Sequence, residues 1–246
     1  MNFTITVQKT PTELGQVAAK KAAAVIQTAI AAQGIARVVL ATGQSQFETL
    51  EALLTYDIDW SKVEVFHLDE YVGLPESHPA SFRKYLKERF LSKVTVKAAH
   101  MVDGEGDVIN HVANLSAKIH AAPIDLAFIG IGENAHIAFN DPPANFDTEE
   151  AFFVVELDDA CKNQQVREGW FASLADVPKT AITMSVKQIL AAKTIVSAVP
   201  HATKATAVFD SLTREITPEI PATILKTHPD WHLFLDEASA SKLFRI

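Results

Sequence analysis

The chain has 246 residues, of which 48% are apolar and 21% are charged, a composition typical of a globular protein with a large buried core. Lys and Arg total 22 against 30 Asp and Glu, and this net charge of −8 without a basic cluster argues against a nucleic-acid or anionic-membrane binder. The single cysteine, Cys161, excludes an intrachain disulfide and a multi-thiolate metal site. Because the sequence shows neither a signal-peptide pattern nor an apolar run of about 18 residues, we expect a cytoplasmic protein.

Apolar, β-rich runs alternate with helical stretches along the whole sequence. This alternation predicts a single α/β domain over residues 1–246, with a doubly wound, mainly parallel sheet and helices on both faces, in the manner of a Rossmann-like fold. The predicted strands cover residues 4–7, 36–41, 63–68, 124–131, 152–156, 182–184, 194–199 and 231–235. The predicted helices cover residues 12–33, 47–56, 79–90, 106–121, 201–212 and 221–225.

Four polar clusters follow predicted strands directly. They cover residues 42–45, 69–71, 134–141 and 201–204. In open α/β sheets, ligands bind in the crevice beyond the carboxyl ends of the strands. The positions of the clusters therefore predict one shared ligand site.

Two of the clusters have features that suit a phosphate group. The small-residue turn at 42–45 leads into a helix and directs backbone N–H groups outward, although Thr42 or Ser45 could equally serve as an ordinary helix cap. Lys204 lies in the first turn of a predicted helix, where the helix dipole disfavours a cation. A bound anion would remove that conflict, and a solvated lysine is the alternative.

The other two clusters carry groups that can move protons. Asp69 and Glu70 follow a buried strand, so a partly dehydrated carboxyl group there has a raised pKa and could act as a base, or it could simply cap a turn. Because neighbouring residues of an extended chain point to opposite sides, only one of the two is expected to face the crevice. His136 lies near Asn134 and Asp141 and could transfer protons at neutral pH, or it could be a structural histidine. No residue has metal-site spacing with His136, so no metal is predicted.

Several blocks of sequence together resemble the glucosamine-6-phosphate deaminases, also called isomerases, within a wider group that includes the 6-phosphogluconolactonases. They run in order over most of the chain, and HIAFN at 136–140 resembles the deaminase branch more than the lactonase branch. The blocks are LATGQS (40–45), HLDEYVGLPESHPASF (67–82), IDLAFIGIGENAHIAFNDP (124–142), VPKTAITM (177–184), VPHATKA (199–205) and the segment 221–236.

The resemblance implies an aldose–ketose isomerisation of an amino-sugar 6-phosphate, with loss of ammonia and without any cofactor. It assigns the general base to Asp69 and ring opening to His136, supported by Asp141 with Asn134. Arg167 lies near the family's phosphate-binding arginine, in a stretch that departs from the usual pattern. We expect ligand contacts from Thr42, Gly43, Gln44, Ser45, Glu70, Tyr71, Arg167 and Lys204.

The chain departs from the family pattern at the ring-opening residues. Asn134 and Ala135 stand where the family has Asp and Gly, and Asp141 stands where it has Glu. An amide carries no charge to stabilise an imidazolium, and a shorter carboxylate reaches less far, so we expect a weakened proton relay. We also expect the turn at Ala135 to differ, because a glycine there can adopt positive φ.

These departures keep three functions open. The first is a divergent deaminase acting on glucosamine 6-phosphate or galactosamine 6-phosphate. The second is a lactonase, which would hydrolyse 6-phosphogluconolactone without releasing ammonia, and the third is a catalytically silent sugar-phosphate sensor. The sequence leaves assembly into a homo-oligomer open.

Overall fold

The computed structural model describes residues 3–243. The strands in this range are β1 (Phe3–Gln8), β2 (Ala36–Leu40), β3 (Val63–His67), β4 (Asp69–Tyr71), β5 (Ala98–His100), β6 (Leu126–Phe128), β7 (Phe152–Glu156), β8 (Thr180–Met184), β9 (Thr194–Val199) and β10 (Trp231–Asp236). The α-helices are α1 (Pro11–Gln33), α2 (Phe47–Leu53), α3 (Phe82–Leu86), α4 (Val108–His120), α5 (Asp159–Arg167), α6 (Val186–Leu190) and α7 (Ala205–Thr213).

A parallel sheet of seven strands forms the centre of the molecule. Its order is β1-β10-β9-β6-β2-β3-β5, and every described neighbouring pair is parallel. From β2 the chain moves outward through β3 to β5, whereas from β6 it moves outward through β9 to β10. The order therefore reverses between the adjacent strands β2 and β6, as in a doubly wound sheet. The predicted α/β class with a mainly parallel sheet is confirmed.

The predicted strands at 152–156 and 182–184 form a different sheet from the one expected. They correspond to β7 and β8, which join β4 in a separate three-stranded antiparallel sheet. The predicted strand at 63–68 ends at His67, and Asp69 begins β4 in this second sheet. Sequence periodicity indicates that a segment is extended but carries no information about its partner strand. β5 was not predicted, and the strand expected at 124–131 is regular only from Leu126 to Phe128.

Several helices also differ from their predicted bounds. The segment at 79–90 forms the short helix α3, followed by a π-helix over Lys87–Leu91. Pro221–Thr227 is a 3₁₀ helix, and α5 and α6 were not predicted. α5 was missed because its sequence, DACKNQQVR, is mostly polar and has no apolar stripe at helical spacing.

α1 shows how local sequence defines one long helix and its packing. Thr10 accepts a hydrogen bond from the Glu13 amide at the N-terminus, Pro11 begins the helix, and Gly34 ends it with φ of 79°. The helix packs against α2 and the strands β2, β9 and β10 through a face rich in buried alanine. Small side chains let the helix approach the sheet closely. No helix within residues 3–243 is both long and apolar enough to cross a membrane.

A second, smaller cluster of buried side chains lies beside the antiparallel sheet, apart from the main core of the parallel sheet and its helices. It contains Tyr71, Phe139 and Phe171, with Phe82 packed against it. One domain over residues 1–246 stays a prediction, since residues 1, 2 and 244–246 lie outside the described range.

Candidate active site

A cavity of about 570 Å³ opens beyond the carboxyl ends of β2, β6 and β9, at the position where the strand order reverses. Ligands of doubly wound sheets bind at this position because the chain diverges there to either side and leaves a crevice. Each of the four polar clusters contributes at least one residue to its wall. The predicted site residues that line it are Thr42, Gly43, Gln44, Ser45, Asp69, His136, Arg167 and Lys204.

The turn after β2 holds its shape through backbone geometry and one buried side chain. Gly43 has φ of 94°, a conformation that favours glycine, and the next three residues form a 3₁₀ turn that leads into α2. Gln46 is fully buried and donates hydrogen bonds to the Ser45 hydroxyl and to the Ala198 carbonyl on β9. The turn is therefore fixed between β2 and β9, with its outer residues in the cavity wall.

Lys204 is a buried cation in the same cavity. It ends the 3₁₀ turn Ala202–Lys204 after β9, and only 7% of it is exposed. Burial lowers its pKa from the ordinary lysine value, while the nearby carboxylates of Glu168 and Glu133 act in the opposite direction. A buried ammonium group in a cavity wall is suited to bind an anion.

Arg167 lies on the same side of the cavity but is much more exposed. Its guanidinium forms an ion pair with Glu133, which also lines the cavity. The neighbouring Glu168 accepts hydrogen bonds from Gln164 (2.7 Å) and from the Trp170 indole (3.1 Å). Gln164, Glu168 and Trp170 also line the cavity but were not predicted. They lie on α5 and in the segment after it, which show no apolar periodicity.

Asp69 presents a carboxyl group with unusual surroundings. It is 6% exposed, and burial followed by the charge of Glu70 raises its pKa well above the ordinary value. Its Oδ1 atom has no hydrogen-bond partner among the described residues. Such a carboxyl group is a stronger base, once ionised, than an exposed one.

His136 faces the cavity with a carboxylate behind its ring. Its Nδ1 atom lies 3.0 Å from Oδ1 of Asp141. Asn134 donates a hydrogen bond to the same Asp141 oxygen (3.2 Å) and accepts one from the His136 backbone amide (3.1 Å). Asn134 therefore contacts Asp141 and the His136 backbone, and Asp141 lies beside the imidazole ring.

The turn before His136 also differs from its prediction. Ala135 has φ of 65°, so the alanine adopts the left-handed conformation that glycine would adopt there. Gly132 lies so close to the imidazole that an added Cβ atom would be 2.3 Å from its Cε1 atom. The glycine at 132 therefore provides the space that the His136 ring occupies.

Cys161 is an unforeseen member of the His136 group. It is buried on α5, and one ligand-type atom each of His136, Asp141 and Cys161 lies within 4.8 Å of the others. Burial raises the pKa of the Cys161 thiol, and a hydrogen bond with Asp141 acts in the same direction. Burial also raises the pKa of Asp141, but hydrogen bonds from His136, Asn134 and Cys161 bring it below its ordinary value. The three side chains thus form a polar cluster around the Asp141 carboxylate, whose pKa is lowered.

Two predicted ligand contacts are contradicted by the structure. Glu70 is fully buried away from the cavity and accepts hydrogen bonds from the Ser81 hydroxyl and from the amides of Tyr71, Phe82 and Arg83. Tyr71 lies in the second apolar cluster, with its ring 5.2 Å from that of Phe139. Both predictions failed because a local pattern does not reveal which neighbours a side chain will meet.

The comparisons with known proteins agree with this geometry. Residues 9–233 match the family model described as glucosamine-6-phosphate isomerases/6-phosphogluconolactonase. A glucosamine-6-phosphate deaminase from Streptococcus thermophilus is 37% identical, covering 83% of this chain and 86% of the relative. The deaminase of Lactobacillus delbrueckii subsp. bulgaricus is 32% identical, covering 97% of this chain and 99% of the relative.

Solved structures give the same result at the level of the fold. A monomeric glucosamine-6-phosphate deaminase superposes with a TM-score of 0.87 at 28% identity, covering 98% of this chain and 99% of the other. The 6-phosphogluconolactonase of Thermotoga maritima superposes with a TM-score of 0.79 over 95% of this chain and 99% of the other, at 15% identity, which shows the shared fold alone. The chain therefore belongs to the glucosamine-6-phosphate isomerase/6-phosphogluconolactonase family of enzymes.

Proposed function

We propose that this protein converts an amino-sugar 6-phosphate, glucosamine 6-phosphate or galactosamine 6-phosphate, into the ketose 6-phosphate and ammonia. The observation that carries the proposal is that two buried groups line the same cavity. One is the carboxyl group of Asp69, whose Oδ1 atom has no hydrogen-bond partner among the described residues, and the other is the ammonium group of Lys204. The deaminases among the relatives support this reaction in preference to lactone hydrolysis.

The phosphoryl group is the part of the substrate that the cavity binds most strongly. Lys204 and the turn at 42–45 hold it, and this binding energy positions the sugar carbons at a fixed distance from Asp69. Because the phosphoryl group does not react, its binding energy is used to orient the sugar carbons towards Asp69.

His136 opens the sugar ring. Its imidazole transfers a proton between the hydroxyl at C1 and the ring oxygen, and the Asp141 carboxylate behind Nδ1 stabilises the protonated ring. Asn134 holds Asp141 in place. The relay retains one charged partner, Asp141.

Asp69 then moves a proton between two carbons. Its carboxylate removes the proton from C2 of the open-chain aldose, an enol-type intermediate forms, and the same proton returns to C1. The C–H bond at C2 breaks and the C–H bond at C1 forms, while the oxygen on C1 gains a proton and the amine nitrogen loses one, so that C1 carries a hydroxyl group and C2 becomes an imine. Water adds to C2, the carbon–nitrogen bond breaks, and ammonia leaves with the ketose 6-phosphate as the other product.

The test is a substrate panel with two products measured. Glucosamine, galactosamine and mannosamine 6-phosphates are incubated with the protein and with Asp69→Asn, and ammonia and ketose phosphate are quantified. We expect equal amounts of both products from at least one substrate and none from the variant.

Three outcomes would overturn the proposal. Hydrolysis of 6-phosphogluconolactone without ammonia release would identify a lactonase. Calorimetric binding of a hexosamine 6-phosphate without turnover would identify a sensor. Turnover that survives Asp69→Asn would contradict the assigned base.

The remaining expectations extend this proposal. We place the protein in the cytoplasm, as expected of an enzyme of sugar-phosphate metabolism with a single, buried cysteine. The reaction as proposed uses the residues above without a metal or an organic cofactor.

A further inference from the structure

His201 adopts a backbone conformation that is costly for any residue except glycine. Its φ is 82° and its ψ is 144°, and it begins the turn that carries Lys204. A side chain with this φ clashes with its own backbone, at a cost of about 1 to 3 kcal/mol. Such strain persists only where the surroundings hold it, and strained residues cluster at functional sites.

Two contacts hold the backbone of His201 in this conformation. Its amide donates to both carboxylate oxygens of Asp236, at 3.2 and 3.1 Å. Asp236 is 2% exposed at the end of β10, and it also accepts a hydrogen bond from the Ser239 amide (2.7 Å). The His201 carbonyl accepts from the Lys204 amide. With its backbone fixed on both sides, His201 contributes to the wall of the cavity.

The permanent charges around Lys204 cancel one another. Lys204 and Arg167 are balanced by Glu168 and Glu133, and Arg167 is already engaged by Glu133. A phosphoryl dianion entering this part of the cavity therefore meets no net positive charge. His201 also lines the cavity, and its imidazole N–H group can donate a hydrogen bond to a phosphoryl oxygen.

We propose that the His201 imidazole binds the phosphoryl group of the substrate beside Lys204 and supplies the positive charge that the carboxylates remove. A glycine would satisfy the backbone without strain, so a histidine here points to a role for the imidazole itself. The assignment rests on the proposed function in naming a sugar phosphate, but it can be tested with inorganic phosphate alone.

The first experiment separates strain from ligand binding. In His201→Gly the backbone relaxes, so the melting temperature should rise, while KM for the best hexosamine 6-phosphate should increase about tenfold, as expected for loss of one hydrogen bond to a charged group. We expect any fall in kcat to be smaller than the rise in KM, because Lys204 and the turn at 42–45 still orient the sugar in this variant. Unchanged KM in this variant would overturn the proposal, as would a fall in kcat with KM constant. His201→Ala keeps a Cβ atom at this φ and ψ, so it should share the increase in KM without the rise in melting temperature.

The second experiment tests the charge. Inorganic phosphate is titrated calorimetrically at pH 6 and pH 8 into the wild type, His201→Gln and, as a matched control, His120→Gln on the exposed end of α4. The charged groups around the turn that carries His201 are Lys204, Arg167, Glu133, Glu168 and Asp236. The wild type and the control should gain affinity at pH 6 relative to His201→Gln, and identical pH profiles in all three proteins would refute the role.

The results distinguish a failure of the proposed function from a failure of the phosphate-binding role of His201. If the wild type turns over no hexosamine 6-phosphate but His201→Gly still weakens phosphate binding, the proposed function fails and the phosphate site stands. If turnover is observed and phosphate binding does not depend on His201, only the present proposal fails.

Discussion

Asp69 is a buried carboxyl group without a partner for Oδ1, and this state costs folding free energy. Burial and the neighbouring charge of Glu70 raise its pKa, which means that the folded state holds the proton to a higher pH than the unfolded state. Its cost is fully present above the folded pKa and disappears as the pH falls towards the unfolded value. The carboxylate that serves as the base therefore lowers the stability of the folded protein.

Asp69→Asn should make the protein more stable and inactive. At pH 7 we expect a gain of about 1 to 3 kcal/mol, because a neutral amide replaces a dehydrated charge. Near pH 4, where the wild-type carboxyl group is protonated, the difference should vanish. Guanidinium unfolding at both pH values measures it, and an equal gain at both would contradict the assigned titration.

Gly132→Ala should displace the His136 imidazole. The added Cβ atom would lie 2.3 to 2.6 Å from three ring atoms, so the ring must leave its present position. A shift of about 1 Å at a catalytic group costs about 100-fold in rate. Steady-state kinetics measure the effect, with Gly130→Ala as the control, since a Cβ atom there meets only the Gln46 side chain at 3.4 Å and the Ser45 hydroxyl at 3.8 Å. Equal losses in the two variants would count against the steric explanation.

At the scale of elements, an ion-pair network joins β4 to α3 and so fixes the strand that carries Asp69. Glu70 accepts hydrogen bonds from Ser81 and from the Arg83 amide, both at 2.8 Å. The Arg83 guanidinium pairs with Glu70, Asp103 and Glu105. The network positions Asp69 without touching the ligand.

Arg83→Met should be strongly destabilising, because it leaves Glu70 buried without its cation. A loss of about 3 to 5 kcal/mol is typical of breaking one side of a buried ion pair. The double variant Glu70→Gln/Arg83→Met should lose less than the sum of the single variants. A double-mutant cycle by urea unfolding measures this coupling, and strict additivity would show that the pair is not coupled.

The contact between α1 and α2 depends on Gly15. A Cβ atom at this position would lie 2.7 Å from the backbone carbon and Cβ of Glu48. Gly15→Ala should therefore destabilise the protein by about 1 to 3 kcal/mol through overpacking, although alanine gains about 1 kcal/mol in helix propensity. Thermal unfolding beside Lys20→Ala, an exposed position on the same helix, isolates the steric part. A stabilised Gly15→Ala variant would contradict the close contact.

At the scale of the whole molecule, one buried histidine and two half-buried ones make the fold sensitive to acid. Burial, with a smaller contribution from Arg83, lowers the pKa of His67 to about 3, and burial lowers the pKa values of His100 and His111 as well. These groups stay neutral in the folded state but take up protons when the chain unfolds. Their stabilising effect is present above about pH 6.5 and is lost as the pH falls towards about 3.

Stability should therefore fall between pH 7.5 and pH 5.5, by about 1 kcal/mol for the His67 contribution. Guanidinium unfolding at the two pH values measures the fall in the Asp69→Asn background, where the opposing titration of Asp69 is absent. His67→Gln in the same background should reduce the slope. A stability that is flat across this range would show that His67 ionises in the folded state.

The central sheet and the location of the site were predictable because their signals are local. Buried parallel strands are mainly apolar runs, as in β2 and β9, and the carboxyl ends of these strands meet at one edge. The polar residues that follow them, such as Thr42 and Lys204, consequently share one cavity. Alternation along a strand also predicted that only one of Asp69 and Glu70 faces the crevice, and that residue is Asp69.

The sequence by itself determined the α/β class, the long helix α1 and the four polar clusters at the cavity, because apolar spacing, caps and turns act over a few residues. Only the tertiary structure decided that β4 pairs with β8, that Glu70 meets Arg83 and that Cys161 joins His136 and Asp141. The same holds for the balance of charge around Lys204. These pairings join residues that are distant along the chain, and their partners are fixed by packing of the whole molecule rather than by any local pattern.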